Sequence, residues 1–263
     1  MGHRSAQIVF LMYHELELAG RKLCQSEPGY VRYILPIETF RRQMQCLRQS
    51  SFRGLNVSEA IHYSSEPAVC ITFDDGCETD LIAAVPVLRE FGFHATFYVT
   101  AGFLGTPGYL SPEQLRHLDC EGFEIGCHSM THAYLSDLAE PELKREVVDA
   151  KAQLEQILGH GIEHLSCPGG RYNQPTLAMA RAAGFKTVAN SDFHANSSAT
   201  SKLELGRIAM LRNLSTAEFD AICHGRGLWK KRLQHRTRHG IQRVLGNRAY
   251  DQLRAALLGN SRK

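Results

Sequence analysis

Short apolar runs rich in β-branched residues recur along the chain, separated by longer stretches with helical periodicity. Ile8–Tyr13, Val69–Phe73, His94–Val99, Phe123–Cys127, a short run near Leu165, Phe185–Ala189 and Arg207–Leu211 read as strands, the first of them ending at His14. Between them, Pro36–Leu47 places Ile37, Phe40, Met44 and Leu47 on one helical face, with proline tolerated at the start. Further helices are predicted over 79–91, closed by Gly92, from Ser111, over 136–158, over 175–183, closed by Gly184, and from Ser215. A loop rich in polar residues and glycine is expected after His14. Strands alternating with helices predict a parallel sheet with right-handed crossovers. With about seven strands, the fold class expected is α/β, a distorted (β/α) barrel whose active residues sit at the C-terminal strand ends.

The polar residues that follow these strands sharpen the picture. Cys70-Ile-Thr-Phe-Asp74-Asp75-Gly76 ends a buried run in two adjacent carboxylates and a glycine that permits a turn. Two like charges side by side are costly unless a cation lies beside them. In an isolated case, a polar turn capping the next helix explains such a pair equally well. His128 follows a strand and stands four residues before His132. Thirteen histidines make that spacing weak evidence, since His160/His164 and His235/His239 share it. Position separates the pairs: only His128, like His14, Asp74, Asp75 and the Pro168–Gly170 turn, falls just after a predicted strand.

Thr-Phe-Asp-Asp-Gly and His-Ser-x-x-His resemble the first two motifs of the polysaccharide deacetylase family, the NodB-like carbohydrate esterases of family 4. The resemblance implies Asp74 as catalytic base and Asp75, His128 and His132 as ligands of a divalent metal. Two imidazoles and a carboxylate with open positions suit Zn²⁺, with Co²⁺, Mn²⁺ or Ni²⁺ as alternatives. Leu11-Met-Tyr-His14 resembles the Tyr-His strand of the circularly permuted members, implying His14 as general acid. Leu165-Ser-Cys-Pro-Gly-Gly-Arg171 resembles the third motif, which implies an oxyanion and substrate-binding turn at Pro168, Gly169 and Gly170. There Ser166 occupies the place of the usual arginine, so Asp74 lacks its expected cation, and Arg171 and Arg207 are the candidates to replace it. The fourth motif is absent, with Asp192 a weak stand-in.

Composition adds a boundary. Residues 224–263 hold eleven Lys or Arg against one acid, whereas the remainder is acidic. This divides the chain into a barrel over 1–223 and a basic, helical tail over 224–263 suited to an anionic membrane surface. No nucleic-acid partner is implied, and the oligomeric state stays open. The apolar run at Ile8–Tyr13 is too short for a signal-peptide core, so a cytoplasmic location is expected, at most peripheral at the inner membrane face. The eight scattered cysteines read as thiols. The implied activity is hydrolysis of N-acetyl groups on an N-acetylhexosamine glycan or precursor, free or carrier-linked. A metal amidase acting on another small amide, or a catalytically impaired glycan-binding protein, are the alternatives.

Overall fold

The computed structural model describes residues 7–63 and 67–228. From residue 229 onward, the expected basic tail lies outside the described residues, as does the His235/His239 pair.

Eight parallel strands form the main sheet: β1 (Val9–Tyr13), β2 (Arg53–Leu55), β3 (Ala68–Phe73), β4 (Thr96–Val99), β5 (Glu124–Cys127), β6 (His164–Ser166), β7 (Thr187–Ala189) and β8 (Ile208–Ala209). Their order is β8-β1-β3-β4-β5-β6-β7, with β2 beside the first half of β3. β1 and β3 run in register from Val9 opposite Val69 to Tyr13 opposite Phe73. Leu205 bridges Ala189, and three residues later Ile208 pairs with Leu11. The segment 205–209 thus touches both sheet edges and curls the sheet into a distorted α/β barrel.

Every residue of β1 and β3 is buried, as the unbroken apolar runs require of strands covered on both faces. Side chains alternate between two layers. Leu11, Tyr13, Ile71, Phe73, Phe97 and Val99 join the large core beneath the helices. Phe10, Cys70, Tyr98 and Ala189 form a smaller cluster of opposite parity. That inner parity runs through Cys70 and Thr72 to Asp74, so the barrel's interior leads to a carboxylate.

Helices cover the outside. Ile37–Gln49 buries Phe40, Met44 and Leu47. Val85–Phe91, preceded by a wide turn over Asp80–Ala84, ends at Gly92 in the left-handed conformation. Pro112–Cys120 and Thr216–Cys223 open on capping boxes from Ser111 and Ser215. The helix expected from residue 136 begins only at Glu140, because Pro141 has no N–H to continue the helical ladder back toward residue 137 and fits only in a first turn. β7 begins at Thr187, since the Phe185 amide closes the preceding helix on Ala180 O. Sequence periodicity missed β2, whose three residues are too few to show a pattern. Its Gly54 allows close packing, because a Cβ there would stand 2.6 Å from the Phe93 ring. The loop after His14 is also more ordered than expected: Leu16–Glu17 pairs with Leu35–Pro36, and a helical turn over Pro28–Val31 carries Tyr30. Among the described residues no helix is long and apolar enough to cross a membrane.

Gly126 in β5 has no room for a side chain, because a Cβ would run into the Tyr98 ring and lie 3.2 Å from His164 O. Gly126→Ala is therefore expected to destabilise the fold by about 1–3 kcal/mol, as overpacking of a filled core does. Urea unfolding monitored by circular dichroism reads the change; an unaltered midpoint contradicts it.

Candidate active site

The strands deliver their polar residues to one end of the barrel. Asp74 N–H donates to Tyr13 O and His128 N–H to Val99 O, so both extend the parallel ladders by one step. Asp74 keeps the inward parity and meets Arg207, which is 1% exposed. The pairing is bidentate: Arg207 Nη1 lies 2.6 Å from Oδ1 and Nη2 2.7 Å from Oδ2. Arg207 also donates to Ser166 Oγ (2.6 Å), Thr72 Oγ1 (3.2 Å) and Asn190 O (3.2 Å), and it lies over the Tyr98 ring. Burial raises the Asp74 pKa, but the Arg207 charge, followed by that of His128, outweighs it and keeps the carboxylate ionised. Arg207 therefore occupies the cationic role left open by Ser166, and the small serine leaves space for the guanidinium.

Asp75 has the opposite parity, and a straight strand would aim it outward. Its φ of +82° turns it back toward the same cavity. Among the described residues only four non-glycine residues have positive φ, and Asp75, Ser129 and His132 are three of them. Such conformations cost of order 1–3 kcal/mol each and persist only where surroundings impose them. Here Thr100 N–H donates to Asp75 O, Ala101 N–H to Ser129 O and His132 N–H to Ser129 Oγ. Glu146, buried on a helix, accepts from the amides of Met130 and Thr131 and from the Thr131 hydroxyl. The four-residue histidine spacing is thus realised in a pinned loop and not on a helix.

Asp75 Oδ2 accepts from Tyr30 Oη at 2.9 Å, whereas the buried Oδ1 has no hydrogen-bond partner. His132 Nε2 and His128 Nε2 stand 3.3 and 3.5 Å from that oxygen. His128 Nδ1–H donates to Ser166 O at 3.0 Å, which directs the Nε2 lone pair into the cavity. Burial pushes His128 down to about 4, so its ring is neutral at pH 7. For His132, burial lowers the pKa, but the Asp75 carboxylate overrides it and the net shift is upward. Burial likewise raises Asp75, and the imidazoles of His132, His14 and His128 reverse it to far below the usual carboxylate range. Ligand atoms of Asp75, His128 and His132 all lie within 4.8 Å of one another. An enclosed, unpartnered carboxylate oxygen facing two imidazole nitrogens is a donor set that fits a divalent cation.

His14 follows β1 beside this cavity, packed against Tyr33 and Tyr30, with its Nδ1 buried and unpartnered. Burial lowers its pKa against the upward pull of Asp75 and Asp74. In the Pro168–Gly170 turn, Gly169 and Gly170 have φ of +60° and +69°. The amides of Gly170 and Arg171 donate to Cys167 O and Pro168 O, while Ser191 Oγ donates to Gly169 O. Arg171 stacks on Tyr134, 3.8 Å from the ring centroid, and Arg207 is the residue paired with Asp74. Asp192 lies after β7, where its amide donates to Asn190 Oδ1. His160 and His164 are committed elsewhere, His160 to Asp119, and His164 to Ser58 and Thr187. Tyr30 and Glu146 escaped sequence reasoning, because neither stands at a strand end nor in a motif.

Replacing Arg207 by methionine leaves the Asp74 charge buried without its partner, so Arg207→Met should destabilise the fold by about 3–5 kcal/mol at pH 7. Asp74 has a depressed pKa in the folded state, so its contribution exists above the unfolded value of about 3.9 and vanishes as pH falls through the folded value. The gap between wild type and Arg207→Met should therefore narrow below about pH 4 in parallel urea titrations. A gap independent of pH contradicts the ion-pair account.

Known proteins share this framework. The family profile for polysaccharide deacetylase matches residues 62–188. A Bacillus subtilis protein assigned by name to the polysaccharide deacetylases is 27% identical over 224 residues, 83% of this chain and 76% of its own length. A Bacillus cereus peptidoglycan-N-acetylglucosamine deacetylase is 31% identical over 126 residues, covering 48% of this chain and 57% of that protein. The solved structure of a Streptococcus pyogenes deacetylase in complex with acetate superposes with a TM-score of 0.71 at 24% identity, covering 81% of this chain and 96% of that one. The fold, the matched profile and these relatives agree that residues 62–188 carry a polysaccharide deacetylase domain in a NodB-like barrel.

Proposed function

We propose that the protein hydrolyses the N-acetyl amide of an N-acetylhexosamine-containing glycan or glycan precursor, with a divalent metal, Zn²⁺ by preference, held by Asp75, His128 and His132. The observation that carries this reading is the enclosed Asp75 Oδ1, unbonded and facing two imidazole nitrogens beside a second, Arg-paired carboxylate. The Bacillus cereus relative, named for N-acetylglucosamine deacetylation, supports the choice of amide. A metal bound there polarises the acetyl carbonyl and lowers the pKa of bound water toward ~7.

The protein groups divide the proton transfers. Asp74 accepts a proton from the attacking water as the oxygen adds to the acetyl carbon, and the Arg207 pairing fixes the orientation of the carboxylate. The Gly169 N–H, in a turn with no side chain in the way, donates to the oxygen that gains negative charge. His14 gives a proton to the sugar nitrogen as the C–N bond breaks, yielding acetate and the free amine. Burial that lowers its pKa makes the His14 imidazolium a stronger acid toward that nitrogen. Arg171, held over Tyr134 next to the turn, borders the space for the sugar. A catalytically impaired binding protein was the reading favoured by a missing arginine, and the Arg207–Asp74 pair removes that motive.

Asp75→Ala, His128→Ala and His132→Ala should each lose one bound metal per chain by elemental analysis. Asp74→Asn should keep that metal yet lose about 10²-fold or more in kcat for acetate release from N-acetylglucosamine oligomers. A variant retaining more than a tenth of the wild-type rate removes Asp74 from the role of base.

His14→Ala should depress amide hydrolysis far more than hydrolysis of an aryl acetate, because an aryl oxide departs without protonation. Equal losses on both substrates mean that His14 supports the structure only.

A further inference from the structure

Beside the site just described lies a second group of ligand-type side chains that the deacetylation chemistry does not use. Glu15 follows His14, Cys77 follows the Asp75–Gly76 turn, and Cys24 reaches in from the loop after β1. Glu15 and Cys77 are buried, and ligand atoms of the three residues lie within 4.8 Å of one another. We propose that Glu15, Cys24 and Cys77 form a second metal site, selective for Zn²⁺ through its two thiolates, which clamps the 18–27 loop against the strand end that carries Asp75.

Three observations carry the proposal. Cys24 Sγ and Cys77 Sγ are 3.7 Å apart, which is the edge of a tetrahedron with Zn–S bonds of about 2.3 Å, roughly 3.8 Å. It is far beyond a disulfide bond of about 2.05 Å. The Glu15 carboxylate is oriented into the group, since both of its oxygens accept from the Cys24 amide at 3.0 Å. Asp80, on the turn that follows, is fully buried with both carboxyl oxygens unpartnered. This enclosure of thiols and carboxyls holds the cation Arg21 only at its margin, where Arg21 pairs with Glu78. A cation among the three donors would neutralise the thiolates and the Glu15 carboxylate. Cys24 is partly exposed, giving an entry path, and its thiol now donates to Gly108 O at 3.1 Å. On binding, both thiols release their protons to solvent and the thiolates take the metal. Tyr30 Oη stands between the two groups, 2.9 Å from Asp75 Oδ2 and 4.0 Å from Cys77 Sγ, so a metal here would hold the hydroxyl that orients Asp75.

The site rests on residues outside the deacetylase reading, and the test separates the two. Full-length protein is stripped by chelator under a thiol-free reductant and reloaded with Zn²⁺ or Co²⁺. Wild type should bind two equivalents, and the cobalt form should show a near-ultraviolet thiolate-to-cobalt charge-transfer band. His132→Ala should lose one equivalent and keep the band, whereas Cys24→Ser and Glu15→Gln should lose one equivalent with the band abolished or shifted. In unmutated protein, Zn²⁺ should slow alkylation of Cys24 and Cys77, mapped by peptide mass spectrometry, at least tenfold. A wild type that binds only one equivalent and a His132→Ala variant that binds none, a cobalt form without a thiolate band, or a Cys24–Cys77 disulfide that excludes metal under the same reductant overturns the proposal.

Discussion

A carboxylate at the inner end of β3 is tolerable only because a guanidinium is buried with it. Asp74 is 2% exposed and Arg207 1%, and each would be an expensive solitary charge. Much of the neighbouring sequence serves this pair. Tyr98 presents its ring to the guanidinium, Thr72 and Ser166 present hydroxyls, and the Asn190 carbonyl takes the remaining Nε–H. Gly126 leaves room for Tyr98. With Asp74 satisfied from behind by Arg207, its neighbour Asp75 is free to serve the histidines.

Strained backbone does the second half of the work. Three positions on the two loops that line the candidate site, Asp75, Ser129 and His132, sit in the left-handed region, where glycine would be more comfortable. Glycine would adopt these angles at no steric cost and contribute no ligand. The amides of Met130 and Thr131 on Glu146, and those of Ala101 and Gly102 on Ser129 O and Met130 O, hold the turns in place. Such bracing fixes the donor positions before any cation arrives, the condition for a tight and selective site.

The barrel and the first two motifs were legible because their signals are local. Apolar runs ending in Asp74–Asp75 and His128 declare strand ends directly, and parallel strands place such ends together. Arg207 could be named only as one of two candidates, because nothing in a linear pattern tells which distant strand edge will meet Ser166. Tyr30 was invisible for a similar reason: a four-residue helical turn inside a polar loop has no periodicity to detect. Glu146 looked like one more acid on an amphipathic helix. Its role depends on the loop of another strand folding over it, which is tertiary information. β2 and the late start of the helix at Glu140 were missed through brevity and through the N–H that Pro141 lacks.

The Arg207–Asp74 contact spans 133 residues of sequence. During synthesis, β1, β3 and β4 emerge long before the segment that carries Arg207, and until it docks the inner end of β3 bears an unneutralised charge. A dry, closed barrel is therefore unfavourable for any nascent or truncated chain that stops short of that segment. Docking of the last strand completes the sheet on both edges and neutralises the interior at the same moment, so closure and pairing of the Asp74 carboxylate become one cooperative event. Such coupling of late, non-local contacts slows folding, as high contact order does, and it disfavours a closed barrel in a chain that lacks the Arg207 segment.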